Sequence, residues 1–149
     1  MMIKDSGNRR KFSTGAVRDI GEGKGRCDLL PLEIVGEYFA NIGKPNEIFI
    51  NLEKYIRTGI TDYLMHVLAV FNEQCYKNNQ TMFLEVSKQY EEGAKKYDER
   101  NWEKGIPLHC YIDSAVRHYL KWLRGDTDEP HDRAFVWNIL GAIWTHKNK

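Results

Sequence analysis

The sequence predicts an all-α fold, and three observations lead to this prediction. From residue 31 onward, apolar side chains recur every three or four residues, the spacing that places them on one face of a helix. The segment from about residue 130 to residue 146 is apolar on almost every side, which is typical of a helix at the centre of a bundle. No segment shows the alternation of a half-buried strand, and no internal repeat is visible. We therefore expect a helical bundle with a four-helix core.

The first half of the chain divides into an arm and three helices. Residues 1–30 are rich in Gly, Arg, Lys, Asp and Ser and lack periodicity, so they predict an irregular or extended arm. Pro31 suits a first helical turn, and the helix that it begins is expected to stop at Gly43. Residues 47–58 form a weaker candidate helix, and residues 61–77 form a clearer one.

Three further helices are predicted in the second half. Residues 83–97 form a strongly amphipathic segment whose apolar stripe is centred near Tyr90. The next helix covers about residues 109–124 and is closed by Gly125. An acidic turn at residues 126–129 leads into the apolar last helix.

Size and composition restrict the possible functions. The 149 residues suffice for one domain, residues 1–149. The net charge of +1 gives no general attraction to a nucleic-acid polymer or a membrane, so any anion site must be a local cluster. Three widely spaced cysteines without a C-x-x-C pattern argue against a disulfide scaffold and a zinc site. Because neither an apolar signal core nor a run of ~18 apolar residues is present, we expect a cytoplasmic protein.

Two glutamates on the helix at residues 83–97 are of interest. Glu91 lies beside the apolar stripe, whereas Glu92 points further toward water. A half-buried carboxylate needs a cation partner, which makes Glu91 a candidate metal ligand. The same spacing also suits two surface ion pairs, Glu91–Lys95 and Glu92–Lys96.

The helix at residues 109–124 carries a charged arc. Asp113, Arg117 and Lys121 fall on one side of this helix, and His118 borders them. An acid beside several bases can help to hold Mg²⁺ together with a phosphate chain, because Mg²⁺ takes oxygen ligands and keeps substrate phosphates in its shell. The alternative is an exposed charged face with an Asp113–Arg117 ion pair.

The acidic turn and the last helix supply further candidates. Asp128 and His131 are three residues apart, so they can share one face at the helix start. Capping of the helix by Asp128 or Glu129, with Pro130 in the first turn, explains the same residues structurally. Asn138 is a polar side chain within a run that is otherwise buried in appearance, where either a hydrogen bond to another helix or a ligand would satisfy it.

An ordered series of short motifs resembles the phage-associated family called dATP/dGTP diphosphohydrolase, N-terminal domain, a relative of the MazG-like all-α nucleotide pyrophosphatases. The motifs are Phe12-Ser-Thr-Gly-Ala-Val-Arg-Asp19, Gly23-Lys-Gly-Arg26, Asp28-Leu-Leu-Pro31, Gly93-Ala-Lys-Lys-Tyr97, Arg100-Asn-Trp-Glu-Lys-Gly105, Arg117-His118 and Asp128…His131…Trp137-Asn138. The resemblance covers about residues 12–31 and 83–145. Residues 43–80 lie outside it and are interpreted as an inserted helical segment.

The resemblance implies a MazG-like hydrolase that needs Mg²⁺ or Mn²⁺ and cuts a nucleoside triphosphate, here a purine deoxynucleotide, to the monophosphate and pyrophosphate. It also implies a homo-oligomer. The proposed metal ligands are Glu91, Asp113, Asp128 and His131. The proposed substrate contacts are Lys96, Arg100, Asn101, Trp102, Arg117, His118, Lys121 and Asn138. Among these, the cations would neutralise the triphosphate and Trp102 would stack on or wall the base, although its ring could equally plug the space between two helices.

The chain departs from the wider superfamily in one respect. Members hold Mg²⁺ with carboxylates in an E-x-x-E and an E-x-x-D pattern, whereas this chain has no E-x-x-E and one clear E-x-x-D, Glu129 to Asp132. This departure favours an alternative function, a binding module of the same fold that sequesters a nucleotide without hydrolysing it. A helical structural protein of a phage, with its charges on a solvated surface, is the third possibility.

Overall fold

The computed structural model describes residues 9–19 and 22–149. This part of the chain contains six α-helices, two short 3₁₀ helices and one two-stranded hairpin, so the predicted all-α class is confirmed. The elements are β1 Arg9–Lys11, β2 Val17–Asp19, α1 Leu32–Asn41, α2 Glu47–Thr58, α3 Asp62–Gln74, α4 Asn79–Lys96, α5 Leu108–Arg124 and α6 His131–Lys147, with the 3₁₀ helices at Cys27–Leu29 and Asn101–Lys104. Among the described residues, no helix combines the length and apolar content that a membrane crossing requires.

Helices α5 and α6 form the centre of the molecule. Gly125 ends α5 in the left-handed conformation (φ 88°), and a short connection returns the chain as α6 in the opposite direction. The two helices approach closely because Gly141 on α6 faces the ring of the fully buried Tyr111 on α5. As the apolar sequence predicted, most of α6 is buried.

Helix α4 packs on α6 with a face that differs from the predicted one. The buried side chains are Met82, Val86 and Gln89, whereas Phe83 is 48 % exposed. The helix begins earlier than predicted because the Asn78 side chain accepts a hydrogen bond from the Thr81 N–H. Packing against α6 displaces the buried stripe by about one residue from the predicted one, which also changes the charged side chains that face the core.

Helices α2 and α3, which lie within the segment interpreted as an insertion, belong to the same core. Ile48, Phe49 and Leu64 are fully buried there. The ring of Phe71 lies 4.6 Å from that of Phe135 on α6, centroid to centroid. The segment therefore contributes to the interior of the domain, and its origin as an insertion stays a prediction.

The N-terminal arm is more regular than predicted. β1 and β2 pair antiparallel, so this part of the arm is extended, as one of the two predicted alternatives had it, and it forms a short hairpin that the sequence did not predict. The side chain of Asn101 takes the place of a third strand: it accepts from the Val17 N–H at 3.0 Å and donates to the Val17 carbonyl at 2.8 Å. Thr14 Oγ1 also donates to the Gly105 carbonyl at 2.8 Å. Residues 1–8 and 20–21 of the predicted arm lie outside the described residues.

Substitution of Gly141 tests the close approach of α5 and α6. In Gly141→Ala the new Cβ would overlap the Tyr111 ring, and we expect a loss of about 1–3 kcal/mol of unfolding free energy, measured by urea denaturation. Gly93→Ala on α4 is the control, because its Cβ would meet nothing within 4 Å and alanine is the better helix former by ~1 kcal/mol. Equal stability of Gly141→Ala and wild type would contradict the described packing.

Candidate functional site

Two histidines meet where α5 ends and α6 begins. His118 Nδ1 lies 2.9 Å from His131 Nδ1, and His131 Nε2 lies 2.7 Å from Asp128 Oδ1. His131 is 1 % exposed, so its ring is almost completely surrounded by other protein atoms. A proton must sit between the two imidazole nitrogens for this contact to be a hydrogen bond, and a cation placed at these atoms would replace that proton.

Carboxylates complete the group around the histidines. Among the described residues, two sets of three side chains have ligand atoms within 4.8 Å of one another. The first set is His118, Glu129 and His131, and the second is Asp126, Asp128 and His131. We call these five residues the histidine–carboxylate cluster. Either set of three side chains can hold a divalent cation, and His131 belongs to both sets.

The charge state of His118 suits a metal ligand. Burial, followed by the effect of nearby His131 and Lys121, lowers the pKa of His118 to about 3. The imidazole is therefore neutral at physiological pH, which is the form that binds metals.

A hydrogen bond from Arg124 lowers the pKa of Asp126, so this carboxyl group is ionised.

The local sequence explains why the cluster forms. The antiparallel course of α5 and α6 brings His118, near the end of one helix, level with His131 at the start of the other. Asp128 precedes His131 by three residues and reaches the same side of the helix start. The structure thus brings Asp128 and His131 together and adds His118, which the sequence placed among the substrate contacts.

Asp113 lies outside this cluster and is engaged elsewhere. Both of its oxygens accept from Arg117 at 2.7 Å, and one accepts from the Cys27 N–H at 2.6 Å. Asp113 is 4 % exposed, so the predicted ion pair exists but is buried instead of lying on a solvated face. Arg117 also donates to the Gly25 carbonyl at 2.7 Å. These contacts fasten the N-terminal arm to α5.

The two glutamates of α4 have the reverse of their predicted positions. Glu91 is exposed, whereas the Glu92 side chain is 15 % exposed and accepts from Arg133 at 3.1 Å. Arg133, on α6, is itself buried. The displaced stripe of α4 causes this reversal, since Glu92 follows the buried Gln89 by three residues. The structure therefore does not bring Glu91 to the cluster.

The turn after α4 is occupied by internal contacts. Arg100 pairs with Glu103, and its guanidinium carbon lies 4.7 Å from the centroid of the Trp102 ring. The Trp102 ring packs against Tyr90 and Trp144, with centroid distances of 6.3 and 5.0 Å. This is the packing alternative for Trp102. The turn therefore contacts α6 through Trp102 and the N-terminal arm through Asn101.

Among the remaining predicted substrate contacts, the two lysines are partly accessible and Asn138 is buried. Lys96 and Lys121 are half-buried, and Lys121 lies close enough to His118 to lower its pKa. Asn138 is 2 % exposed, and its amide donates to the Ala134 carbonyl at 2.8 Å. Its oxygen accepts from Arg18 at 2.8 Å. The sequence predicted that a buried Asn138 needs a partner, on another helix or in a ligand, but did not predict that Arg18 on β2 is that partner.

The fold and the cluster define the class of protein: a helical domain with a candidate centre for a divalent metal. The chain belongs to the family described as dATP/dGTP diphosphohydrolase, N-terminal, because the model of that family matches residues 73–149, just over half of the chain. The matched span contains α4, α5, α6 and every residue of the histidine–carboxylate cluster. It does not include the arm motifs at residues 12–31. Neither the curated proteins nor the solved structures give a significant match.

The buried ion pair of α4 and α6 can be tested against its exposed neighbour. Glu92→Gln removes the carboxylate charge that accepts from the buried Arg133, and we expect a loss of about 1–3 kcal/mol of unfolding free energy. Glu91→Gln removes an equivalent charge from an exposed position and should change stability by less than about 0.5 kcal/mol. Urea denaturation of both variants measures the difference. Equal effects would show that Glu92 contributes no buried contact.

Proposed function

We propose that the protein hydrolyses a purine deoxynucleoside triphosphate to the monophosphate and pyrophosphate with the help of a divalent cation. The observation that carries this proposal is the position of the histidine–carboxylate cluster, which lies wholly inside the span matched by a family described as dATP/dGTP diphosphohydrolase. The ligand atoms of each set lie close enough together to coordinate one ion. A bound divalent cation is what hydrolysis of a triphosphate, the activity named in the family description, would require.

The donor atoms of the cluster indicate the kind of metal. His131 would hold it together with His118 and Glu129 or, through the other nitrogen of its ring, together with Asp126 and Asp128. Mg²⁺ prefers oxygen ligands, whereas imidazole nitrogen suits transition metals and carboxylates suit Mn²⁺ as well as Mg²⁺. Because imidazole nitrogens and carboxylate oxygens are both present, the ligands favour Mn²⁺ over Mg²⁺. When bound, such an ion supplies an activated water and neutralises charge that develops on the phosphate oxygens.

The protein's own side chains would bind and orient the phosphate chain. Lys121 lies near His118 at the end of α5, where its ammonium can neutralise phosphate oxygens beside the cluster. Lys96 stays a proposed contact at the end of α4. Arg117 already has a buried carboxylate partner in Asp113, so we assign it to holding the arm. The assembly of copies into a homo-oligomer stays a prediction.

The same geometry supports sequestration of a nucleotide as a second candidate function. His131 hydrogen-bonds through both ring nitrogens, to His118 and to Asp128, so the polar atoms of its ring are satisfied without a metal. A cluster that is stable in this way can serve as a fixed binding surface. The absence of an E-x-x-E pattern from the sequence favours this candidate as well.

A product assay separates the two functions. The protein is incubated with dATP or dGTP and Mn²⁺, Mg²⁺ or EDTA, and the products are resolved by ion-exchange chromatography. We expect the monophosphate and pyrophosphate, formed faster with Mn²⁺ than with Mg²⁺ and not formed in EDTA. Release of inorganic phosphate with a diphosphate would contradict the proposal, and tight binding without turnover would support sequestration.

The role of His131 can be tested by comparison with an exposed histidine. His131→Asn removes the side chain common to both ligand sets, and we expect turnover to fall by about 100-fold, equal to about 2.7 kcal/mol of transition-state stabilisation. The rise in melting temperature on addition of Mn²⁺ should disappear with it. His66→Asn on α3 is the control, since His66 is exposed and remote in sequence from the cluster. A full Mn²⁺ response in His131→Asn would rule out the cluster as the metal centre.

A further inference from the structure

Two arginines lie opposite each other on the N-terminal hairpin. Arg10 on β1 is the register partner of Arg18 on β2, and directly opposite residues of an antiparallel pair project from the same face. The contacts of Arg18 with Ser114 and Asn138 show that this face is turned toward α5 and α6. Like charges in this arrangement repel each other, so the hairpin gains nothing in stability from the pair itself.

The guanidinium of Arg18 has neutral partners. Its Nη2 donates to Ser114 Oγ at 3.0 Å and to Asn138 Oδ1 at 2.8 Å. Its central carbon lies 5.4 Å from the centroid of the Tyr111 ring and 5.5 Å from that of Trp137. Within the described part of the chain, no carboxylate makes an ion pair with it.

Donor atoms of both arginines remain unsatisfied. Arg18 Nη1 and Arg10 Nε are buried and have no hydrogen-bond partner among the described residues. Burial, together with the nearby Arg10, lowers the pKa of Arg18, which shows the cost of keeping this charge without an anion. A buried guanidinium normally has a negatively charged partner, because aromatic rings and neutral oxygens compensate only part of its lost hydration.

We propose that Arg18, with Arg10, Ser114 and Asn138, binds a phosphate group of the nucleotide where the hairpin meets helices α5 and α6. The planar guanidinium matches the geometry of phosphate oxygens, and the unsatisfied donors supply the missing hydrogen bonds. This inference rests on the proposed function for its ligand, because the phosphate chain of a nucleotide is the anion that the site would take.

The position of the arginine relative to the cluster fits one extended ligand. Ser114 precedes His118 by four residues on α5, and Asn138 follows His131 by seven residues on α6. At ~1.5 Å per helical residue, Arg18 is therefore about 6–10 Å along the helix axes from the histidines. A phosphate chain can extend between the two positions, so the arginine would hold one end while the cluster acts on the other.

Anion binding in the absence of metal tests the proposal. Inorganic pyrophosphate is titrated into the protein in EDTA, and the heat of binding is measured by calorimetry. We expect binding to wild type, and a dissociation constant at least about tenfold weaker in Arg18→Met, which keeps much of the side-chain volume but removes the charge. Arg57→Met is the control, because Arg57 is exposed on α2 and pairs with Glu33. Absence of binding to wild type, or equal affinity in Arg18→Met, overturns the proposal.

A second variant, which keeps Arg18, tests the proposal in case Arg18→Met does not fold. Asn138→Asp places a carboxylate oxygen where Asn138 Oδ1 now accepts from Arg18, so the protein itself supplies the anion, at the cost of the hydrogen bond from the Asn138 amide to the Ala134 carbonyl. We expect this variant to remain folded, by its circular dichroism, and to bind pyrophosphate at least about tenfold more weakly than wild type. Wild-type affinity in Asn138→Asp overturns the proposal.

The source of the phosphate is settled by competition. In EDTA, dATP should displace pyrophosphate from wild type, which supports a nucleotide phosphate as the ligand. Failure of dATP to compete overturns that assignment. These outcomes are independent of turnover: a protein that binds pyrophosphate through Arg18 but does not hydrolyse dATP would contradict the proposed reaction and leave the anion site in place.

Discussion

The contact of α5 with α6 is the constraint on which the rest of the molecule depends. Because Gly141 has no side chain, the Tyr111 ring lies directly against the backbone of α6 and fixes how far each helix can slide along the other. The pairing of His118 with His131 follows from that register. A shift of one helical turn, about 5.4 Å, would separate these imidazoles. The chemistry of the cluster is thus a consequence of backbone packing several turns away.

Polar side chains that look functional in the sequence often hold the arm in the structure. The Asn101 side chain hydrogen-bonds both backbone groups of Val17, as a neighbouring β-strand would. Asp113 accepts a hydrogen bond from the Cys27 N–H and forms an ion pair with Arg117. Backbone groups of an arm that crosses a helical domain need such partners, because no neighbouring strand supplies them. Motif residues of this kind therefore serve the site indirectly, by keeping the arm and Arg18 against α5 and α6.

The sequence predicted the number and the approximate bounds of the helices but not their rotation. Spacing of apolar residues defines a stripe, and on α4 two neighbouring stripes compete, one through Phe83 and one through Met82. Packing against α6 selects the second stripe, and a difference of one residue exchanges Glu91 for Glu92. The Asp128–His131 pair was predictable because it is local in sequence. The contact with His118 was not, since it requires the register of two helices.

The attachment of the hairpin has a consequence for the order in which the chain folds. The hydrogen bonds that attach the described part of the hairpin to the rest of the chain join residues 84 to 120 positions apart, from the Val17–Asn101 contacts to the one between Arg18 and Asn138. Contacts between such distant residues form late, because a long loop must be closed before they stabilise anything. On the ribosome, the arm is synthesised before the helices that receive it, and its last partner arrives with α6. The arm therefore docks only after nearly the whole domain has been made, so that the buried arginine enters its place as one of the final steps of folding.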